Sequence, residues 1–232
     1  MPRLLSLLML LAALPAIAHA HDLWLEREGA GYALYQGHRH SAHSGAEVVP
    51  YEPAAAKGAL CRDTAGTTRP LAAGRGHPAR FAGDCATLLA TFSTGYWTKT
   101  PWETRNVPKA GSADVLKSWL SEESVKRIDR WTAGAAQPFG SGLEITPAED
   151  PFRVAVDDKL TVLVTDGGKP LAGVPVAYQG DTRGITGPDG RIAIRLRRTG
   201  VQLISASSET PLADGKADVL IRATALQFEL RP

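Results

Sequence analysis

The chain has 232 residues, with 26 Lys and Arg against 24 Asp and Glu, a formal charge of +2. Hydrophobic residues at 44% and charged residues at 22% exclude a disordered or fibrous chain, and the near-balance of charge without basic runs argues against a nucleic-acid partner. The 23 Gly and 16 Pro argue against a helical bundle and for short strands joined by turns, a mainly β fold.

Residues 1–20 have the pattern of a secretory signal peptide. Arg3 supplies the positive end, Leu4 to Leu14 the apolar stretch, Pro15 a helix break and Ala18-His19-Ala20 a small-x-small cleavage pattern. No later stretch is apolar enough to predict a membrane-spanning helix, so a periplasmic or secreted mature chain is expected. Cleavage after Ala20 leaves His21 at the N-terminus, where a free amine and an imidazole can chelate one metal ion. Cleavage after Ala18 would start the chain His19-Ala20-His21, with a His third from the terminus. That arrangement suits square-planar Cu(II) or Ni(II).

The N-terminal domain is placed at 21–133. Strands are expected at Leu23 to Leu25, Tyr32 to Tyr35, Gly58 to Cys61 and Cys85 to Phe92. An exported chain with only Cys61 and Cys85 predicts one disulfide between them. From Val115 to Trp131 the apolar positions recur mostly at three- and four-residue steps, which predicts a short helical insertion. Residues 134–142, rich in Gly with Pro138, mark a linker. The C-terminal domain at 143–232 alternates apolar and polar residues around Leu160, Val162 and Val164. With turns at Asp166 to Pro170 and at Pro188-Asp189-Gly190, it predicts an immunoglobulin-like or transthyretin-like β-sandwich. Two β-sandwich domains are therefore the expected architecture.

All six histidines lie within the first 77 residues. His38 and His40 would share a face of a strand, and His43 can return from a turn. Three imidazoles so close, with His21, suit nickel, cobalt, copper or zinc rather than magnesium or calcium. Both methionines lie in the first nine residues, so a thioether copper carrier is not expected. Tyr35, Glu47 and Tyr51 are nearby oxygen donors that ordinary packing or surface exposure explains equally well, and His77 reads as a loop residue. Trp97 and Trp102, flanking Lys99, are candidates for stacking a sugar or a peptide, or else for packing. The chain has no G-x-S-x-G, H-E-x-x-H or P-loop motif, and no catalytic residues are assigned.

The order His21-Asp22-Leu23-Trp24-Leu25-Glu26, a Gly-His loop, Tyr96 to Thr100, Asn106 to Lys109 and a C-terminal sandwich resembles a family of bacterial exported proteins of unassigned function. Some of its members are periplasmic components of cobalt/nickel energy-coupling-factor uptake systems. The resemblance implies a periplasmic metal-binding accessory protein, not an enzyme, with a membrane transporter subunit as partner and His21 and the His38–His43 loop as ligands. The first expectation is thus a carrier of Ni(II) or Co(II). Its rivals are a copper protein with an N-terminal histidine brace, oxidative chemistry included, and a metal-free glycan- or protein-binding module. A brace needs His21 and one more imidazole in T-shaped coordination, so close approach of His21 to a single other histidine would favour it. Convergence on two or three of His38, His40 and His43 would favour the carrier.

Overall fold

The computed structural model describes residues 21–39 and 47–231. The predicted signal peptide at 1–20, and His40 and His43, lie outside them. The N-terminal half carries strands β1 (Asp22–Glu28), β2 (Gly31–His38), β3 (Glu47–Val48), β4 (Ala56–Arg62), β5 (Thr68–Leu71), β6 (Ala79–Ala82), β7 (Thr87–Lys99), β8 (Thr104–Arg105) and β9 (Lys117–Ile128). The C-terminal half carries β10 (Leu143–Pro147), β11 (Lys159–Asp166), β12 (Lys169–Pro170), β13 (Pro175–Tyr178), β14 (Asp181–Ile185), β15 (Arg191–Arg195), β16 (Gly200–Pro211) and β17 (Val219–Leu230). Three short 3-10 turns are the only helical elements among the described residues.

The strands form three sheets. A nine-stranded sheet runs β14-β13-β16-β17-β9-β7-β4-β5, with β8 on the end of β7. It draws on both halves of the sequence, because β17 lies parallel to β9 over Val219 to Gln227. A first small sheet pairs β1, β2 and β3, with β6 beside β2, and a second pairs β10, β11 and β12, with β15 beside β11.

The small sheets cover opposite faces of the large one. Successive residues of a strand point to opposite faces, and neighbours on β16 and β17 divide accordingly. Leu203 and Ala225 join a core with Leu23, Leu25, Leu34 and Phe92. Ile204, Leu226 and Phe228 join a core with Ile145, Leu160 and Val162. Burial on both faces explains why Ala225 to Phe228 read as an uninterrupted buried run.

The sequence periodicity over 113–131 is misleading, and the segment is the strand β9. Its buried positions are held by Ser118, Ser121, Ser124 and Lys126 beside Val125 and Ile128. The apolar residues therefore do not trace the strand's faces, and their spacing imitates a helix. Pairing with β7 on one side and β17 on the other fixes the extended backbone. Tertiary hydrogen bonding overrides local propensity here. Pro175 opens β13, an interior strand between β14 and β16, at the first-residue position where proline is tolerated.

The predicted disulfide is present. Cys61 and Cys85 are bonded, with Cα atoms 5.5 Å apart and neither side chain exposed. The Tyr32 hydroxyl donates to the carbonyl of Cys85 and so ties the small sheet to the cystine. The outer edge of β1 is held by side chains: Gln227 accepts from the Leu25 N–H at 2.8 Å and donates back to the Leu25 carbonyl at 2.8 Å. Arg127 donates to the same carbonyl. These contacts satisfy backbone groups that an edge strand would otherwise leave unpaired.

Candidate metal centre

The β1–β2 hairpin sets the site. Its antiparallel register pairs Asp22 with Gly37 and Leu23 with Gln36. One step further, His21 stands opposite His38, while on the other side of β2 His38 pairs with Glu47 of β3. Directly opposed residues share a face. His21 follows the alternation of Leu23 and Leu25, so this row closes the open end of the first core. Gly37 makes the close approach of β3 feasible. Its φ is +152°, and a Cβ there would sit 1.8 Å from the Glu47 carbonyl oxygen.

The two imidazoles meet edge to face. Their ring centroids are 4.9 Å apart and their planes are inclined at 68°. With metal–nitrogen bonds of about 2.0–2.1 Å, two imidazoles on one ion at right-angle to tetrahedral geometry place their centroids roughly 4.5–5.2 Å apart. The observed spacing matches that span. Burial, with the facing His38, holds the His21 imidazole below its ordinary pKa against the opposing pull of Glu47 and Asp22. The neutral ring is the ligand form. His21 remains exposed and His38 partly exposed, so an ion can reach both.

The opposite face of the hairpin is a clamp. Trp24 is 1% exposed and stacks on Tyr35 at 5.6 Å, and the Arg39 guanidinium lies over the Trp24 ring. The Arg39 N–H donates to Asp22. These contacts hold β1 against β2 just where the histidines project from the other side.

The remaining sequence candidates are dispersed. Tyr35 is on the clamp face, its hydroxyl donating to Glu28. The Tyr51 hydroxyl donates to the Leu34 carbonyl and accepts from the Ala79 N–H, and His77 packs against the Tyr51 ring at 4.5 Å. Trp97 pairs not with Trp102 but with Trp119, its partner across β7 and β9, at 6.3 Å and 11° between planes. Its indole N–H donates to Thr94. Trp102 stands by itself, 76% exposed. Among the described residues no three His, Cys, Asp or Glu side chains gather closely enough to hold an ion. The structure therefore brings His21 and His38 together beside Glu47, while His40 and His43 lie outside the described residues.

One acid escaped the sequence reading. Arg27 contacts Asp129 and Arg127 contacts Leu25, so β1 runs beside β9 at a constant offset. Leu23 and Val125 both lie in the first core, as that offset requires. Glu123 lies two residues before Val125 on β9; it joins no cluster with the histidines among the described residues and lines a cavity with Glu122 instead. The Glu123 carboxyl is recessed, accepts from the Ser121 hydroxyl at 3.1 Å and has no cationic partner among the described residues. Burial pushes its pKa up to about 7. The Ser-Glu-Glu-Ser run would have drawn notice on a strand; on the expected helix it reads as a solvated turn.

Residues 18–210 match a protein family described as a domain of unknown function, DUF4198. The chain belongs to that family. The matched span holds the His21–His38 row, the disulfide and residues of both cores. Comparison with curated proteins gives no match.

Proposed function

We propose that this is an exported transition-metal-binding protein whose site is built on His21 and His38. One observation carries the reading: two imidazoles, brought into register by a hairpin, stand at a spacing that one ion can bridge. The Cys61–Cys85 disulfide supports an oxidising compartment. No helix among the described residues is long and apolar enough to cross a membrane, which fits a chain released after export. Cleavage after Ala20 would add the His21 amine as a third nitrogen, and His40 and His43 would complete the set.

Nitrogen donors of this kind suit Ni(II) and Co(II), with copper and zinc as competitors. In this reading the ion is cargo, captured outside the membrane and passed to a transporter subunit. The second reading is a copper brace. The close approach of His21 to His38 supports it, and an amine plus two imidazoles is its full donor set.

The test uses the protein secreted by its own leader, with the N-terminus established by mass spectrometry. Metal content after exposure to equimolar Ni, Co, Cu and Zn identifies the ion. A cytoplasmically produced chain with Met before His21 should bind at least about tenfold more weakly, because one nitrogen donor is blocked. Equal affinity of the two forms would remove the amine from the site.

A further inference from the structure

A second candidate site is a cavity beside β4, β7, β9 and β17 of the nine-stranded sheet. It has a volume of about 380 Å³ and opens where the segment Ser141 to Leu143 leads into β10. Its floor is built from two adjacent irregularities. β4 bulges between Ala56 and Gly58, leaving Lys57 out of register, and β7 bulges between Phe92 and Gly95. Bulges re-aim side chains and gather beside binding sites. Here two of them, on paired strands, border one cavity.

The cavity has walls of opposite charge. Lys57 lies on the β4 side, where its ammonium donates to the Ala54 carbonyl and has no carboxylate partner among the described residues. Glu122 and Arg222, facing each other in the β9–β17 register, form the far wall. Arg222 is shared between Glu122 at 3.1 Å and Asp166 at 3.2 Å, so it offsets Glu122 only in part, and the recessed Glu123 carboxyl lines the same side of the cavity. Two strand spacings separate β4 from β9, about 10 Å between backbones, and long side chains narrow that gap. Leu143 adds an apolar surface, and Ser93 and Ser141 add hydroxyls.

A lone anion in this space would gain Lys57 but face Glu122, and a lone cation would gain Glu122 but face Lys57. A molecule carrying both charges satisfies both walls. We propose that the cavity binds a small zwitterion of amino-acid type, its carboxylate on Lys57 and its ammonium on Glu122. The volume suits a free amino acid, and small-molecule sites begin at about 300 Å³. Neither proposed contact, Lys57 or Glu122, belongs to the histidine row.

The experiment offers each of the twenty common amino acids to the mature protein and reads thermal stabilisation. The strongest is then compared by calorimetry with the amine lacking its carboxylate and the acid lacking its amine. The zwitterion should bind at least about tenfold tighter than either, as expected for two charge-assisted contacts. Lys57→Gln should abolish its advantage over the amine, and Glu122→Gln its advantage over the acid, with His38→Ala leaving both intact. Both cavity variants change partly exposed side chains, and unchanged melting without ligand verifies their folding. The proposal is overturned if no amino acid stabilises the protein at about 10 mM. It is equally overturned if amine and acid bind as well as the zwitterion, or if both variants keep its full advantage.

Discussion

On the face covered by β10 and β11, Lys126 and Glu144 are both fully buried and paired with each other. Lys126 also donates to the Thr146 hydroxyl, and Glu144 accepts the N–H groups of Phe139 and Gly140. Across the sheet, the first core ends in His21, His38 and Glu47. There two imidazoles face one another edge to face. The contrast separates structure from function. Buried charge that is completely partnered fixes the fold, whereas the two imidazoles that meet each other at the exposed end are the groups on which the proposed metal site rests.

The largest effect should come from unpairing the closed face. Lys126→Met alone, or Glu144→Leu alone, should destabilise the protein by about 3–5 kcal/mol in urea unfolding, because each leaves a buried charge uncompensated. The double variant should recover most of that loss; if it is no better than the singles, the pair is not acting as a unit. Removing the disulfide with Cys61→Ala and Cys85→Ala should cost about 3 kcal/mol in chain-entropy terms for its 24-residue separation.

Smaller effects belong to the open face. Gln227→Ala leaves the buried N–H of Leu25 without its partner and its carbonyl with Arg127 alone, and should cost about 1–3 kcal/mol. It should also weaken metal binding through a loosened β1, and an intact affinity would show that the Gln227 anchor does not position His21. Glu123 gives the smallest signal and a definite sign. Its folded pKa of about 7 lies above the unfolded value of 4.5, so the folded state holds the extra proton. The stabilisation is complete below about pH 4.5 and is lost as pH rises through about 7. Melting curves of Glu123→Gln should lack this component of the decline, and an unchanged pH profile would mean that Glu123 is not recessed in solution.

The second core was legible because its chemistry follows its geometry. Leu160, Val162 and Val164 alternate as a one-sided strand must, and Gly167, Gly168 and Gly190 mark the turns. β9 was not, because a strand covered on both faces and lined with serine and lysine has no period-two signal. The merging of both halves into one sheet was also invisible, since the β9–β17 pairing joins residues about a hundred positions apart. Even the glycine-rich stretch after Trp131 is pinned: Arg62 donates to the Gly134 and Gln137 carbonyls and lies over the Phe139 ring at 4.1 Å. Of the site, His21 and His38 were legible from residue type and position. Their meeting required the hairpin register, which the sequence marks only weakly through Gly29 and Gly31.

The central claim is that His21 and His38 share one ion. Calorimetric titration of the secreted chain beginning at His21, beside its His38→Ala variant, tests it most directly. The account predicts one equivalent of Ni, Co, Cu or Zn bound more tightly than micromolar, with affinity falling at least about a hundredfold in the variant as one of few nitrogen ligands is lost. Micromolar or weaker binding of all four ions, or an affinity that His38→Ala leaves unchanged, would contradict it.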